Sequence, residues 1–328
     1  MAETDEGTGQ GDETSDAEHW ERDTLARLAA AGLAEQRRAR RWGILFKSLV
    51  LLYLFIVLFA ILNVGPLVEG TERAAGPHTA MVDVRGEISA SSDANADRLI
   101  QGLRDAFDDA GTRGVILRIN SPGGSPVQAG MVYDEIRRLR SEHPDIPVYA
   151  VATDICATGA YYIAAAADRI YANRASIVGS IGVRYSGFGF TGIMDKLGIQ
   201  RRMITAGKHK AMLDPFLPQD PAGEKRIKDM VDRIHQQFID AVKQGRGKRL
   251  DDADPDLFSG LVWTGKQAID KGLVDDLATP SEVARKVIGA ENIVDFTPRK
   301  DLWQRVSDRL GSSFAAALDT ELLSNRLR

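Results

Sequence analysis

The sequence predicts an α/β fold, in which helices pack on a sheet, preceded by one membrane-spanning helix. Between residues 79 and 205, short apolar segments alternate with segments of helical spacing. This alternation is typical of repeated β-α units. Before them, residues 42–64 carry a single charge, Lys47, and residues 49–62 form an uninterrupted apolar run.

The apolar run has the length and the flanks of a transmembrane helix. A helix over residues 42–64 is about 35 Å long, enough for a hydrocarbon core of about 30 Å. Because the run starts far from Met1 and no clear cleavage site follows it, we expect an uncleaved anchor. By the positive-inside rule, the arginines before it put the N-terminus in the cytoplasm and the later residues outside. They are Arg37, Arg38, Arg40 and Arg41.

Composition divides the rest of the chain. Residues 1–41 are predicted to be an acidic, largely disordered cytoplasmic tail with a basic juxtamembrane end. Residues 65–78, rich in glycine and proline, read as a linker, residues 79–297 as the α/β domain, and residues 298–328 as an amphipathic C-terminal tail. The net charge of −4 gives no basic excess that would indicate a nucleic-acid partner.

Hydrophobic periodicity places the elements of this domain. Strands are predicted at residues 79–84, 114–119, 148–152, 170–172, 181–183 and 200–205. Helices are predicted at residues 93–110, 126–140, 158–167 and 222–243. The last helix carries an apolar stripe, through Ile227, Ile234 and Phe238, that is compatible with an interface between copies.

Four motifs in fixed order hold the residues that could do chemistry. They are residues 120–124 (NSPGG), 157–162 (ATGAYY), 179–183 (GSIGV) and 207–210 (GKHK). In the first, Pro122 and the two glycines let the backbone approach a ligand and aim an N–H at a carbonyl oxygen. In the second, Thr158 puts a hydroxyl at a helix N-terminus, beside unpaired N–H groups. Taken singly, these segments could be a plain turn and a helix cap.

As a set, the motifs resemble those of the S49 family of membrane-anchored serine peptidases, the signal peptide peptidase A type, which has a Clp/crotonase-type fold. Residues 263–268 and 272–275 resemble the C-terminal part of that domain. The resemblance implies that Thr158 stands at the nucleophile position, where the family has serine, and that Lys210 is the general base. It also implies that the N–H groups of Gly124 and Gly159 bind the oxyanion.

The resemblance further implies a peptide-binding cleft that needs no metal or cofactor. Gly123, Ser180, Ile181 and Gly182 would line it, and an extended substrate could add to residues 179–183 as a strand. Lys210 could act as a base only when neutral, which requires apolar surroundings or nearby positive charge.

The implied protein is an endopeptidase of the inner membrane, with a periplasmic domain, that cleaves membrane-associated peptides such as signal peptides. In short members of the family, the lysine of one protomer reaches the nucleophile of a neighbour. A homo-oligomer is therefore expected.

Three other interpretations stay open. The extra methyl of Thr158 restricts its side chain, so the chain could be a non-catalytic homologue that binds peptides or scaffolds a membrane complex. A crotonase-type acyl-CoA enzyme fits the fold but not the anchor or the lysine motif. Ser180 and Cys156 are the next candidates for a nucleophile, whereas none of the five histidines has a compelling hydroxyl partner or metal-ligand spacing.

Overall fold

The computed structural model describes residues 40–58, 76–251 and 253–298, which fall into two units. In the first unit, helix α1 (Arg40–Leu58) is exposed along its length and is long and apolar enough to cross a membrane. Residues 59–64 of the predicted span lie outside the described residues. So do the acidic tail up to residue 39, most of the predicted linker and the C-terminal tail beyond residue 298.

A mostly parallel sheet of eight strands forms the centre of the second unit. Its strand order is β6-β5-β3-β2-β1-β8, with β4 against β3 and β7 against β4; only the β5–β6 pair is antiparallel. The strands are β1 (His78–Arg85), β2 (Thr112–Ser121), β3 (Val148–Ala157), β4 (Arg169–Ala172), β5 (Ile177–Gly179), β6 (Val262–Thr264), β7 (Asp276–Leu277) and β8 (Ile293–Asp295).

Helices pack against this sheet, and polar side chains cap several of them. Asn95 and Ser125 accept hydrogen bonds from backbone N–H groups in the first turns of α2 and α3. The helices are α2 (Ala96–Asp108), α3 (Pro126–Glu142), α4 (Gly159–Ala164), α5 (Thr191–Lys196), α6 (Pro221–Arg246), α7 (Gly265–Asp270) and α8 (Pro280–Glu282). A 3₁₀ turn at Gly247–Arg249 and a π-helical turn at Val283–Ile288 complete the fold.

Strand β3 divides its pairing between two neighbours. Residues 149–152 pair with β4, whereas residues 155–157 pair with β5. The other edge of β3 pairs with β2, which sets Ser121 opposite Cys156 at the carboxyl ends of both strands. Because these strands are parallel, the loops that follow them leave the sheet at the same edge.

The predicted α/β class is confirmed, but two predicted strands are wrong. Residues 181–183 lie outside the sheet because Gly179 and Ser180 take positive φ values of 108° and 50°, which end β5. Residues 200–205 are irregular and carry no ladder pairing. They belong to residues 182–222, none of which is buried, so this segment has no neighbouring strand with which to pair.

Helix α6 is anchored at its C-terminal end only. Phe238, Val242 and Arg246 are buried there, whereas Gly223 is the single buried residue among positions 221–237. Arg246 donates through Nε to the carbonyl of Gly272 (2.9 Å) and through Nη1 to Asp275 (2.7 Å). Burial opposes ionisation of Asp275, but hydrogen bonds from Arg246 and from the Ile170 N–H outweigh it and lower the pKa of this carboxyl.

A carboxylate between α2 and α3 holds the two helices together. Glu135 of α3 is 8% exposed and accepts hydrogen bonds from Arg138 on its own helix and from Arg104 on α2. The hydrogen bond from Arg138, aided by Arg104, lowers the pKa of Glu135 to about 2 in spite of its burial. The charge of Glu135 therefore stabilises the folded state.

Glu135→Gln should lower the free energy of unfolding near neutral pH by about 1–3 kcal/mol, because charge-assisted hydrogen bonds are lost. A lowered pKa stabilises the fold above the ordinary carboxyl range, and this contribution is lost as pH falls towards 2. The difference between wild type and variant should therefore vanish at acid pH. Urea unfolding of the detergent-solubilised chain across pH measures it.

Glu142→Gln is the matched control, because Glu142 is an exposed partner of the same Arg138. Exposed pairs of this kind contribute about 0.3–0.5 kcal/mol. An equal loss of stability in the two variants would contradict the role given to Glu135.

Candidate active site

Two loops at the carboxyl ends of β2 and β3 form the candidate site. Residues 122–125 follow β2, while Thr158 follows β3, and the pairing of Ser121 with Cys156 sets them side by side. The Thr158 hydroxyl joins the loops by donating to the carbonyl oxygen of Pro122 at 2.8 Å.

Thr158 has an unusual backbone conformation. Its φ of 49° and ψ of −122° lie where a β-branched residue is an outlier. Its N–H donates to Gly179 (2.9 Å) and its carbonyl accepts from Tyr162 (3.0 Å), and together these bonds fix the turn. Such a conformation costs about 1–3 kcal/mol and persists where the surroundings determine it. Since the side chain makes no capping hydrogen bond to α4, it is not a helix cap.

The loop after β2 approaches Thr158 too closely for any side chain. A Cβ on Gly123, whose φ is 94°, would lie 1.5 Å from Thr158 Oγ1, and one on Gly124 would lie 2.1 Å from the carbonyl oxygen of Ile88. The Gly123 N–H donates to Ser121 Oγ (3.1 Å), and its carbonyl accepts from the Ile88 N–H (2.8 Å). Glycine is therefore required at both positions.

Two backbone N–H groups beside the hydroxyl are free. Within the described part of the chain, neither the Gly124 N–H nor the Gly159 N–H donates a hydrogen bond. Gly159 opens α4, so helix geometry leaves its N–H without an acceptor. A Cβ built on Gly159 would lie 3.4 Å from Gly124 N, so the two glycines are adjacent. Paired free N–H groups beside a nucleophile can stabilise a tetrahedral oxyanion.

A cavity of about 400 Å³ opens at these residues. Tyr162, Ile234 and Phe238 form an apolar part of its wall, and the rings of Tyr162 and Phe238 stack with centroids 5.0 Å apart. Glu87 and Arg184 are the charged residues in the wall. The sequence did not predict Glu87 and Arg184, because neither belongs to a motif. Ile234 and Phe238, by contrast, belong to the apolar stripe predicted on α6.

Residues 179–183 leave the sheet after their first residue. Gly179 is paired with β3 on one side and with β6 on the other, so a peptide cannot add to the segment at that residue. Half-buried Ser180 donates its N–H to Leu261 (2.7 Å), and buried Ile181 contacts His235 Nε2 through its carbonyl (3.1 Å). Gly182 lines the cavity with Thr158.

The two remaining predicted groups lie away from this cavity. Lys210 is exposed within a series of turns, its N–H donates to Gly207 (3.1 Å), and it is not part of the wall around Thr158. One protomer therefore does not bring Lys210 and Thr158 together in a single cavity. Cys156 is fully buried in β3, and burial raises the pKa of its thiol, so it is not an available nucleophile.

A hydroxyl on a strained strand-to-helix turn, flanked by two free N–H groups, defines an acyl-transfer type of site. The family model for peptidase family S49 matches residues 140–293. Over these residues the chain is similar to peptidase family S49, whose fold is Clp/crotonase-like.

Three relatives are similar to this chain, each over a different share of its own length. A region of the Na(+)/H(+) antiporter NhaA of Brucella melitensis is 46% identical over 187 residues, 57% of this chain and 25% of that protein. The putative signal peptide peptidase SppA of Enterococcus faecium is 29% identical over 62% of this chain and 58% of that protein. A putative protease of Methanocaldococcus jannaschii is 29% identical over 75% of this chain and 83% of that protein. The chain thus covers less than two thirds of the first two.

Gly123→Ala should destabilise the protein by about 2–4 kcal/mol and disturb the site, because its Cβ would overlap Thr158 Oγ1 and its φ is positive. The matched control is Gly130→Ala in α3, where a Cβ meets nothing within 4 Å and alanine favours the helix by up to about 1 kcal/mol. Urea unfolding of both variants measures the difference. Equal stability of the two would contradict the close approach of the loops.

Proposed function

We propose that this chain is a membrane-anchored endopeptidase in which Thr158 Oγ attacks the carbonyl carbon of a peptide bond. The observation that carries the proposal is the strained turn at Thr158, together with the adjacent free N–H groups of Gly124 and Gly159. Those N–H groups would hold the oxyanion of the tetrahedral intermediate. The family match and the relatives named as peptidases support this reaction.

The proposed reaction has two steps. The proton of the Thr158 hydroxyl passes to the neutral Lys210 amine as the Oγ–carbon bond forms, and then to the leaving amine as the peptide bond breaks. In the second step Lys210 takes a proton from water as the water oxygen bonds to the ester carbon, and it returns this proton to Thr158 Oγ as the ester bond breaks. The acid product leaves, and the hydroxyl and the neutral amine are restored. This chemistry uses neither metal nor cofactor.

We propose further that Lys210 serves a neighbouring protomer in a homo-oligomer. Supporting this, Lys210 is exposed and lies in residues 182–222, which contain no buried residue. The same segment exposes Ile193, Leu197, Ile199 and Ile204, outside the cavity around Thr158. Exposed apolar side chains in such number are typical of a surface that another molecule covers.

Mixing two inactive variants tests the shared site. Thr158→Ala and Lys210→Ala should each lose at least about a thousandfold of the activity, because nucleophile and base act as a unit. Co-expressed in one membrane, they should recover up to about one quarter of wild-type activity, since half the nucleophiles are intact and half of those meet an intact lysine across a heterologous interface. Cleavage of a quenched fluorescent peptide measures it.

Two results would oppose this arrangement. A chain that is monomeric by light scattering in detergent yet fully active contradicts the oligomer. Mixed variants that stay inactive, although pull-down shows that they assemble together, contradict the sharing of Lys210 between protomers.

A second candidate function is peptide binding without cleavage. Its supporting observation is that Thr158 Oγ1 donates to the carbonyl of Pro122 and has no lysine or histidine in the wall of its cavity to act as a base. Thr158→Ser decides between the two functions, because serine removes the methyl and keeps the hydroxyl. An active wild type supports the peptidase; an inert wild type with an active Thr158→Ser variant supports the binding protein.

The proposed location is the inner membrane, with the N-terminus in the cytoplasm and the catalytic domain outside. Helix α1 is long and apolar enough to span the bilayer. Arg37 and Arg38 precede it in the sequence, and Arg40 and Arg41 are its first two residues. The substrates would be membrane-associated peptides such as signal peptides, in line with the name of the Enterococcus relative.

A reporter that works only in the periplasm, fused after residue 328, should be active because the arginines keep the N-terminus inside. The control is the same reporter fused before residue 37, which should be silent. Activity of a cytoplasm-only reporter after residue 328 would reverse the proposed orientation.

A further inference from the structure

A second cavity adjoins the one that contains Thr158. Its volume is about 780 Å³, and it lies between the segment after β5, residues 212–220 and the first turns of α6. Val183 and Arg184 belong to the walls of both cavities. The two spaces therefore meet at this stretch of backbone, just beyond Gly182.

One face of α6 forms a wall of both cavities. Ile227 and Val231 line the larger cavity, and Ile234 and Phe238 line the one with Thr158. Their spacing of four, three and four residues sets them on the same face of the helix. At 1.5 Å per residue this apolar wall is about 16 Å long, which matches about five residues of extended peptide.

Most charged residues of the larger cavity are already engaged. Asp214 pairs with Arg201, Lys228 pairs with Asp232, and Asp220 accepts hydrogen bonds from N–H groups at the start of α6. The exposed carboxylate of Glu224 has no hydrogen bond or ion pair with any described residue. It lies one turn beyond Ile227, at the end of the apolar wall far from Thr158.

We infer that the two cavities form one substrate groove, in which Glu224 binds a basic residue about six positions from the bond that Thr158 attacks. The inference rests on the proposed function, because it assigns the peptide that this site takes. The substrate class is a peptide with an apolar run bounded by a basic residue.

Peptide binding tests the inference without requiring catalysis. The full chain carrying Thr158→Ala, in detergent, is titrated with labelled peptides that hold six apolar residues capped by either lysine or glutamine. Two series place the cap at the N-terminal or the C-terminal end of the run. In one series, lysine should improve affinity by about two- to fivefold at low salt, as expected for an exposed ion pair.

Charge variants locate the effect. Adding Glu224→Gln should abolish the preference for lysine, and Glu224→Lys should reverse it in favour of a glutamate cap. Asp240→Asn is the matched control, because Asp240 is an exposed acid of the same helix outside both cavities. A preference that survives Glu224→Gln, or that Asp240→Asn removes equally, overturns the inference.

Peptide length tests the apolar wall separately. Ile227→Asn should weaken binding of a six-residue apolar run several-fold and leave a three-residue run unchanged, because the short peptide stays near Thr158. If a second copy fills the larger cavity instead, Ile227→Asn changes the oligomer mass and not the peptide affinity, and the inference fails. If peptides bind but neither the charge of the cap nor Ile227→Asn changes their affinity, the groove is wrong and the proposed function still stands. If no peptide binds at all, the proposed function fails as well.

Discussion

The parallel pairing of β2 with β3 is the constraint on which the site depends. It sets Ser121 against Cys156, so that the glycine loop and the turn at Thr158 leave the sheet as neighbours. Slipping this register by one residue would turn every side chain of a strand to its other face and separate the loops. The contact of Thr158 with Pro122 and the missing Cβ of Gly123 both follow from this register.

The division of β3 between β4 and β5 gives the site its second fixed side. Because β5 pairs with the second half of β3, the carbonyl of Gly179 accepts a hydrogen bond from the N–H of Thr158. This hydrogen bond helps to hold Thr158 at its positive φ. The chain then turns away at Ser180, so that Gly182 and Arg184 face the cavity instead of continuing the sheet. The same turn that ends a strand therefore builds a wall of the site.

The alternation of apolar and helical segments was enough to predict the α/β class, whereas the pairing of Gly124 with Gly159 came from the resemblance to the S49 family. The structure supplies its physical reason, because loops after parallel strands share one edge. Sequence reasoning could not find the conformation of Thr158, which tertiary hydrogen bonds impose on a residue that disfavours it. It also assigned strands to residues 181–183 and 200–205, since apolar spacing carries no information on whether a pairing partner exists. Glu87 and Arg184 are far apart in the sequence and come to line one cavity only in the fold.

The absence of buried side chains from residues 182–222 has a consequence for when the protein works. In the proposed arrangement, one protomer contributes Thr158 to one active site and Lys210 to another. By itself it therefore has no complete active site. Under this proposal a single protomer would be inactive, and assembly with other copies would activate it. The rate of hydrolysis would then depend on the surface density of the protein in the bilayer. Peptides would be cleaved where protomers are concentrated and left intact where protomers are sparse.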